Sequence, residues 1–116
     1  MDHTVLVEVF LWEKDIDAAW NTAQEGGCST ELWLKLAKER AKEHPEDAVP
    51  IYQKQIEPTL AQKNNAAYAQ ALDYLRIIRD LMSRLGKQME FATYLAALRT
   101  AHKPKRNFMK LLERFK

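Results

Sequence analysis

Four side chains near the C-terminal end of this 116-residue chain, His102, Lys103, Lys105 and Arg106, form its densest group able to hold an anion. They fall where a last helix is expected to begin, just around Pro104. Cations at a helix N-terminus forgo the few tenths of a kcal/mol that acids supply there, whereas a phosphate or carboxylate bound between them would meet free backbone N–H groups and a favourable dipole. These four are therefore the anion- or partner-binding candidates, to be weighed against a plain solvated turn or bridges to the acidic N-terminal end of another copy. Trp12, which flanks a charged turn, is the aromatic candidate for an interaction surface, while Trp20 and Trp33 are expected to pack between helices. Tyr52, Tyr68, Tyr74 and Tyr94 fall on helical faces and read as packing spacers.

Other chemistry is poorly provided for. Metal ligands are limited to Cys28, His3, His44 and His102, no two of which share the short spacing of a zinc site, so no metal is expected. Cys28 follows Gly26-Gly27 with no base beside it in sequence, which points to a small structural residue. The paired acids Asp15 with Asp17 and Glu46 with Asp47 stand at expected helix starts, where dipole energetics alone accounts for them. There is no Gly-rich phosphate loop, no His-Glu-x-x-His and no usable Ser-His-Asp order. The expectation is a non-enzyme without cofactor.

The elements that would carry these residues are helices throughout. The clearest begins after Asn64 or Asn65 and stops at Gly86, with Tyr68, Ala71, Leu72, Leu75, Ile78, Met82 and Leu85 at steps of three and four. Ile77 and Leu81 widen that stripe and predict a central helix with several neighbours. Phe91, Leu95 and Leu98 mark the next helix, with Ala92, Ala96, Ala97 and Ala101 letting a partner approach. Phe108, Leu111, Leu112 and Phe115 mark a terminal cap.

Upstream, Ser29 caps a helix bearing Leu32, Trp33, Leu36 and Ala37, which ends near His44 because Pro45 follows. Another opens at Pro45 to Asp47 and carries Ala48, Ile51, Tyr52, Ile56 and Leu60, with Pro58 expected to kink or split it. Ile16 to Gln24 is a short helix closed by Gly26-Gly27 and anchored by Trp20. Thr4 to Trp12 has strand-like composition, but a lone strand would leave its backbone unpaired, so it reads as a helix with Leu6, Val9 and Phe10 facing the opposite way from Glu13. Asp17-Ala18-Ala19 and Asp47-Ala48-Val49, 30 residues apart, open two elements alike. The resulting fold class is all-α: antiparallel helical hairpins stacked as a tetratricopeptide-like right-handed superhelix with a C-terminal capping helix, in one domain over residues 1–116.

Hydrophobic residues at 47% and charged residues at 29% describe an ordinary globular chain. No apolar run approaches the ~20 residues needed to cross a bilayer, and the N-terminus lacks a signal-peptide pattern; with a single cysteine, a cytoplasmic location is expected. Net charge is only +2, but residues 1–26 hold Asp2, Glu8, Glu13, Asp15, Asp17 and Glu25 against Lys14, and residues 99–116 hold Arg99, Lys103, Lys105, Arg106, Lys110, Arg114 and Lys116 against Glu113. The chain is acidic at one end and basic at the other.

The stretch Trp12-Glu13-Lys14-Asp15-Ile16-Asp17-Ala18-Ala19-Trp20, the Gly26-Gly27-Cys28-Ser29 break, His44-Pro45-Glu46-Asp47-Ala48 and Tyr94-Leu95-Ala96-Ala97-Leu98-Arg99 running into His102-Lys103-Pro104-Lys105-Arg106-Asn107-Phe108-Met109 resemble the C-terminal region of bacterial SWIM zinc-finger proteins. The resemblance covers almost the whole chain. It implies a helical region downstream of a Cys-x-Cys, Cys-x-His zinc motif that this chain lacks, so the zinc function would not travel with it. Taken together, the readings predict a helical-repeat module for protein–protein contacts, with a protein partner, no membrane and no metal. The alternative is an accessory nucleic-acid (phosphate) surface on the basic segment Lys103 to Lys116.

Overall fold

A computed structural model describes residues 3–115, and within them the chain is all-α. Seven helices follow one another: α1 (Thr4–Trp12), α2 (Ile16–Gly26), α3 (Thr30–Arg40), α4 (Pro45–Leu60), α5 (Asn65–Arg84), α6 (Gln88–Ala101) and α7 (Arg106–Glu113). Two compact units are distinguished, Met1–Ile51 and Tyr52–Lys116, with α4 carrying the chain from one into the other.

In the first unit α1 packs on α2 and α3, and α2 packs on α3. Their core is Val7, Ala19, Ala23, Leu32 and Leu36, with Phe10, Leu11, Ile16, Trp20, Cys28 and Trp33 packed around it. The α1 segment is a helix despite its β-branched content, but it turns differently from the expected face: Val7 is buried, while Leu6 and Val9 lie exposed. Period alone could not choose the inner side, because nearly every α1 residue is apolar. Two caps form as the sequence predicts or allows, with Asp15 accepting from the Ala18 N–H at 3.2 Å and Ser29 from the Leu32 N–H at 3.3 Å. At the α2 end, a Cβ on Gly26 would collide with the His3 ring, whose Nδ1 lies 3.3 Å from the Thr22 carbonyl oxygen. Only glycine at this position leaves room for the His3 ring.

In the second unit α5 packs on both α6 and α7. Asn64 caps α5 by accepting from the Ala67 N–H at 2.7 Å, and Gly86 takes the left-handed conformation beyond its end (φ 71°). Ala67, Tyr68, Ala71, Leu72, Leu75, Ile78, Leu81 and Met82 are buried along it, so the expected stripe is the core. Ile77 does not widen that stripe, being among the exposed large apolar residues. Phe108 and Leu112 of α7 are fully buried, and Phe115 receives the Arg79 guanidinium 5.2 Å above its ring.

Two further expectations are corrected. α4 is not split at Pro58 but runs unbroken to Leu60, because the proline falls within the last turn and removes a single donor. Next to it the Thr59 hydroxyl donates to the Gln55 carbonyl at 2.6 Å. On α6, Phe91 and Leu98 are buried, yet Ala92, Ala96, Ala97 and Ala101 are exposed rather than pressed against a neighbour.

Candidate functional site

The two similar Asp-Ala openings prove to share one partner. Arg40, in the last turn of α3, donates through Nη1 to Asp17 at 2.6 Å and through Nε to Asp47 at 3.0 Å. Its guanidinium also lies 5.1 Å over the Trp20 ring, which meets Trp33 edge-on at 6.1 Å. The arginine side chain is only 13% exposed, so the first turns of α2 and α4 are tied to α3 through a largely desolvated cation. Asp17 and Asp47 thus serve architecture, as their helix-start positions suggest.

A cavity of about 290 Å³ adjoins this clamp, lined by Lys14, Asp15, Ile16, Asp17, Glu39, Arg40, Lys42, Glu43 and His44. Two pairs of its charges are spent on one another, Asp17 with Arg40 and Glu39 with Lys42. Lys42 donates to Glu39 at 2.9 Å and holds that carboxyl below its usual range, first by the hydrogen bond and then by charge. Nearby, ligating atoms of His44, Glu46 and Asp47 lie within 4.8 Å of one another, a grouping that cysteine and histidine spacing did not reveal. Asp47 already accepts from Arg40, and that guanidinium opposes any second cation there.

At the basic end the structure separates the four expected residues. His102 is buried, with Nε2 2.9 Å from Glu57 Oε1 and its ring edge-on to Phe108 at 6.0 Å, whereas Lys103 and Arg106 are exposed and Lys105 is half-buried. Lys105 and Arg106 instead join Lys63, Asn65, Tyr68, Pro104 and Asn107 around an open hollow of about 550 Å³. Asn107 donates to Asn65 Oδ1 at 3.4 Å, tying the starts of α7 and α5 together. α7 has no side-chain cap and no acid in its first turn. Sequence reasoning missed Lys63 and Asn65 because they lie some forty residues away from this cluster and only α5–α7 packing brings them near. Lys116, the end of the predicted basic segment, and Asp2 of the acidic one lie outside the described residues.

Tyr94 is pushed up to about 12, first by burial and then by the Glu57 charge; Tyr52 is raised as well, by burial and then by Tyr74. Neither shift moves a group toward working pH.

Trp12 occupies the most conspicuous place. It is 83% exposed, and Val5 (75%), Leu6 (48%) and Val9 (43%) are exposed on the same helix.

No family model matches the chain, and no solved structure matches it either. The chain is similar to the uncharacterized protein YwqB of Bacillus subtilis (strain 168), with 29% identity over 108 residues covering 91% of this chain. The match takes in 20% of the relative, so the chain spans about a fifth of the length of the curated relative it matches.

No helix among the described residues is long and apolar enough to cross a membrane.

Proposed function

We propose that this chain is a non-catalytic helical-hairpin module that makes protein–protein contacts in the cytoplasm as part of a larger protein of the SWIM zinc-finger type. The observation that carries the reading is the uncovered apolar surface of α1 around Trp12. Monomeric proteins seldom leave several large neighbouring apolar side chains in water without a use for them. Similarity to one fifth of a longer bacterial protein supports a role as one part of a larger chain. The packing of α1 on both α2 and α3 in the first unit, and of α5 on both α6 and α7 in the second, supports helical-hairpin packing within each unit. Around the α2–α3 cavity Asp17 is paired with Arg40 and Glu39 with Lys42, which supports a non-catalytic role.

The test is a photo-crosslinking residue placed at position 12, with exposed Gln70 on α5 as control, in the organism of origin. A discrete protein adduct at 12 and not at 70 is expected. Equal labelling at both positions, or at neither, overturns the reading.

A second reading is favoured by the hollow between the α5 and α7 starts, where Lys63, Lys105 and Arg106 converge at a helix end without an acid or a side-chain cap. Phosphate binding there would relieve the unfavourable placement of cations at that helix start. Three neutralised phosphates give a slope of log K against log salt of about −2 to −3. Fluorescence anisotropy with a labelled oligonucleotide measures that slope, and K105E/R106E should abolish binding. Salt-independent binding, or binding that survives the charge reversal, removes this reading.

A further inference from the structure

We infer that the outer face of α1 is the docking site for a basic amphipathic helix of a partner protein, an inference that rests on the interaction reading above. The nine residues of α1 include Val5, Leu6, Val7, Val9, Phe10, Leu11 and Trp12, so it is apolar nearly all round. A helix of that kind is normally covered on every side. Here only one side is covered: Val7 is fully buried and Phe10 and Leu11 are partly so, against α2 and α3.

The uncovered side has a defined pattern. Val5, Val9 and Trp12 stand at i, i+4 and i+7 and form one stripe along the helix. Glu8 borders that stripe on one side and Glu13, at the helix end, on the other, and both are exposed with no ion pair among the described residues. α1 itself contains no lysine or arginine, and the lysines near its end, Lys14, Lys35, Lys38 and Lys42, gather with Leu11 around a hollow of about 580 Å³. An apolar ridge between two unpaired carboxylates is the complement of a helix whose apolar stripe is bordered by Lys or Arg on both sides.

The same carboxylates argue against the simplest alternative, a second copy pairing α1 with α1, because that would bring Glu8 and Glu13 of both copies together around one dry seam. They also disfavour an acidic surface.

The experiment uses the full chain and two synthetic 15-residue helical peptides, each with a single leucine stripe, one with lysine and the other with glutamate at all other positions. Binding is followed by calorimetry and by the blue shift of Trp12 emission, with W12F as the control that assigns the signal. The lysine peptide should bind at least tenfold more tightly than the glutamate peptide, and V9S/W12A should lose that binding at least tenfold. In E8K/E13K the preference should reverse toward the glutamate peptide, a change that neither misfolding nor nonspecific adhesion of lysine would produce. Equal binding of both peptides, binding of neither, or an unreversed preference in E8K/E13K overturns the inference. Sedimentation showing a dimer that W12A dissolves would assign the face to a second copy and overturn it too. If the peptides fail while the crosslink at position 12 still captures a protein, the interaction reading survives and only the partner's chemistry is wrong.

Discussion

Helices α1 and α5 are both rich in large apolar residues, yet they stand differently toward water. On α5 the apolar residues gather into a buried stripe, and the outward side carries charges that pair among themselves, Arg76 with Asp73 at 2.8 Å and Arg79 with Asp80 at 3.3 Å. On α1 the apolar residues surround the axis and four of the seven remain exposed. Burial on α5 therefore stabilises this chain directly, whereas the outer half of α1 holds free energy released only when something covers it, at about 25 cal/mol per Å² of apolar surface removed from water. The difference separates residues that hold the fold together from residues that the fold presents.

Substitutions along the two helices should grade accordingly. The largest loss is expected for Leu75→Ala in the centre of α5, where a fully buried side chain leaves a cavity costing about 2 to 5 kcal/mol in urea unfolding. A loss under about 1 kcal/mol would break the comparison by showing that the α5 stripe is not the core. Val7→Ala, on the covered side of α1, removes fewer atoms from an equally buried site and should cost about 1 to 3 kcal/mol.

Arg40→Met tests the clamp by keeping length and packing while releasing Asp17 and Asp47. Because Asp17 is 81% exposed, the loss should be about 1 kcal/mol, mainly from Asp47 and the Trp20 face, and smaller at high salt. Trp12→Ala should change stability by no more than about 0.5 kcal/mol, a small effect for so large a truncation. A Trp12 loss as large as that of Val7 would mean the outer face belongs to the fold after all.

The last expected effect is absent at neutral pH and confined to the alkaline range. Tyr94 titrates at about 12 in the folded chain against an ordinary 10.0, so the unfolded chain gives up that proton first. Its contribution to stability is complete below about pH 10 and is lost as pH rises through the folded value near 12. Stability measured against pH should therefore fall more steeply for the wild type than for Y94F in that window, and parallel curves would show that Tyr94 is not held as described.

Legibility followed the length and one-sidedness of each pattern. The run from Tyr68 to Met82 could be read because its polar and apolar residues alternate with a helical period, and Asn64 and Gly86 mark its ends. Ser29 announced α3 in the same way. The inner face of α1 could not be read, since a segment apolar all round contains no contrast between sides. The α6 alanines misled because a small side chain permits close approach without requiring it. Trp12 stands apart from the other two tryptophans by its charged flank, and its side chain lies in the open.

The sequence by itself determined the local structure: helices, their caps, and the turns where Gly27 and Gly86 adopt positive φ, all set by interactions spanning a few residues. It also determined that Cys28 and the three histidines lack the local spacing of a zinc site. Tertiary structure alone decided that Asp17 and Asp47 share Arg40, that His102 turns from the basic cluster to Glu57, and that Lys63 joins Lys105 and Arg106. Those pairings join residues from 7 to 45 positions apart, and nothing in a local pattern encodes which distant side chains packing will bring within a few ångströms.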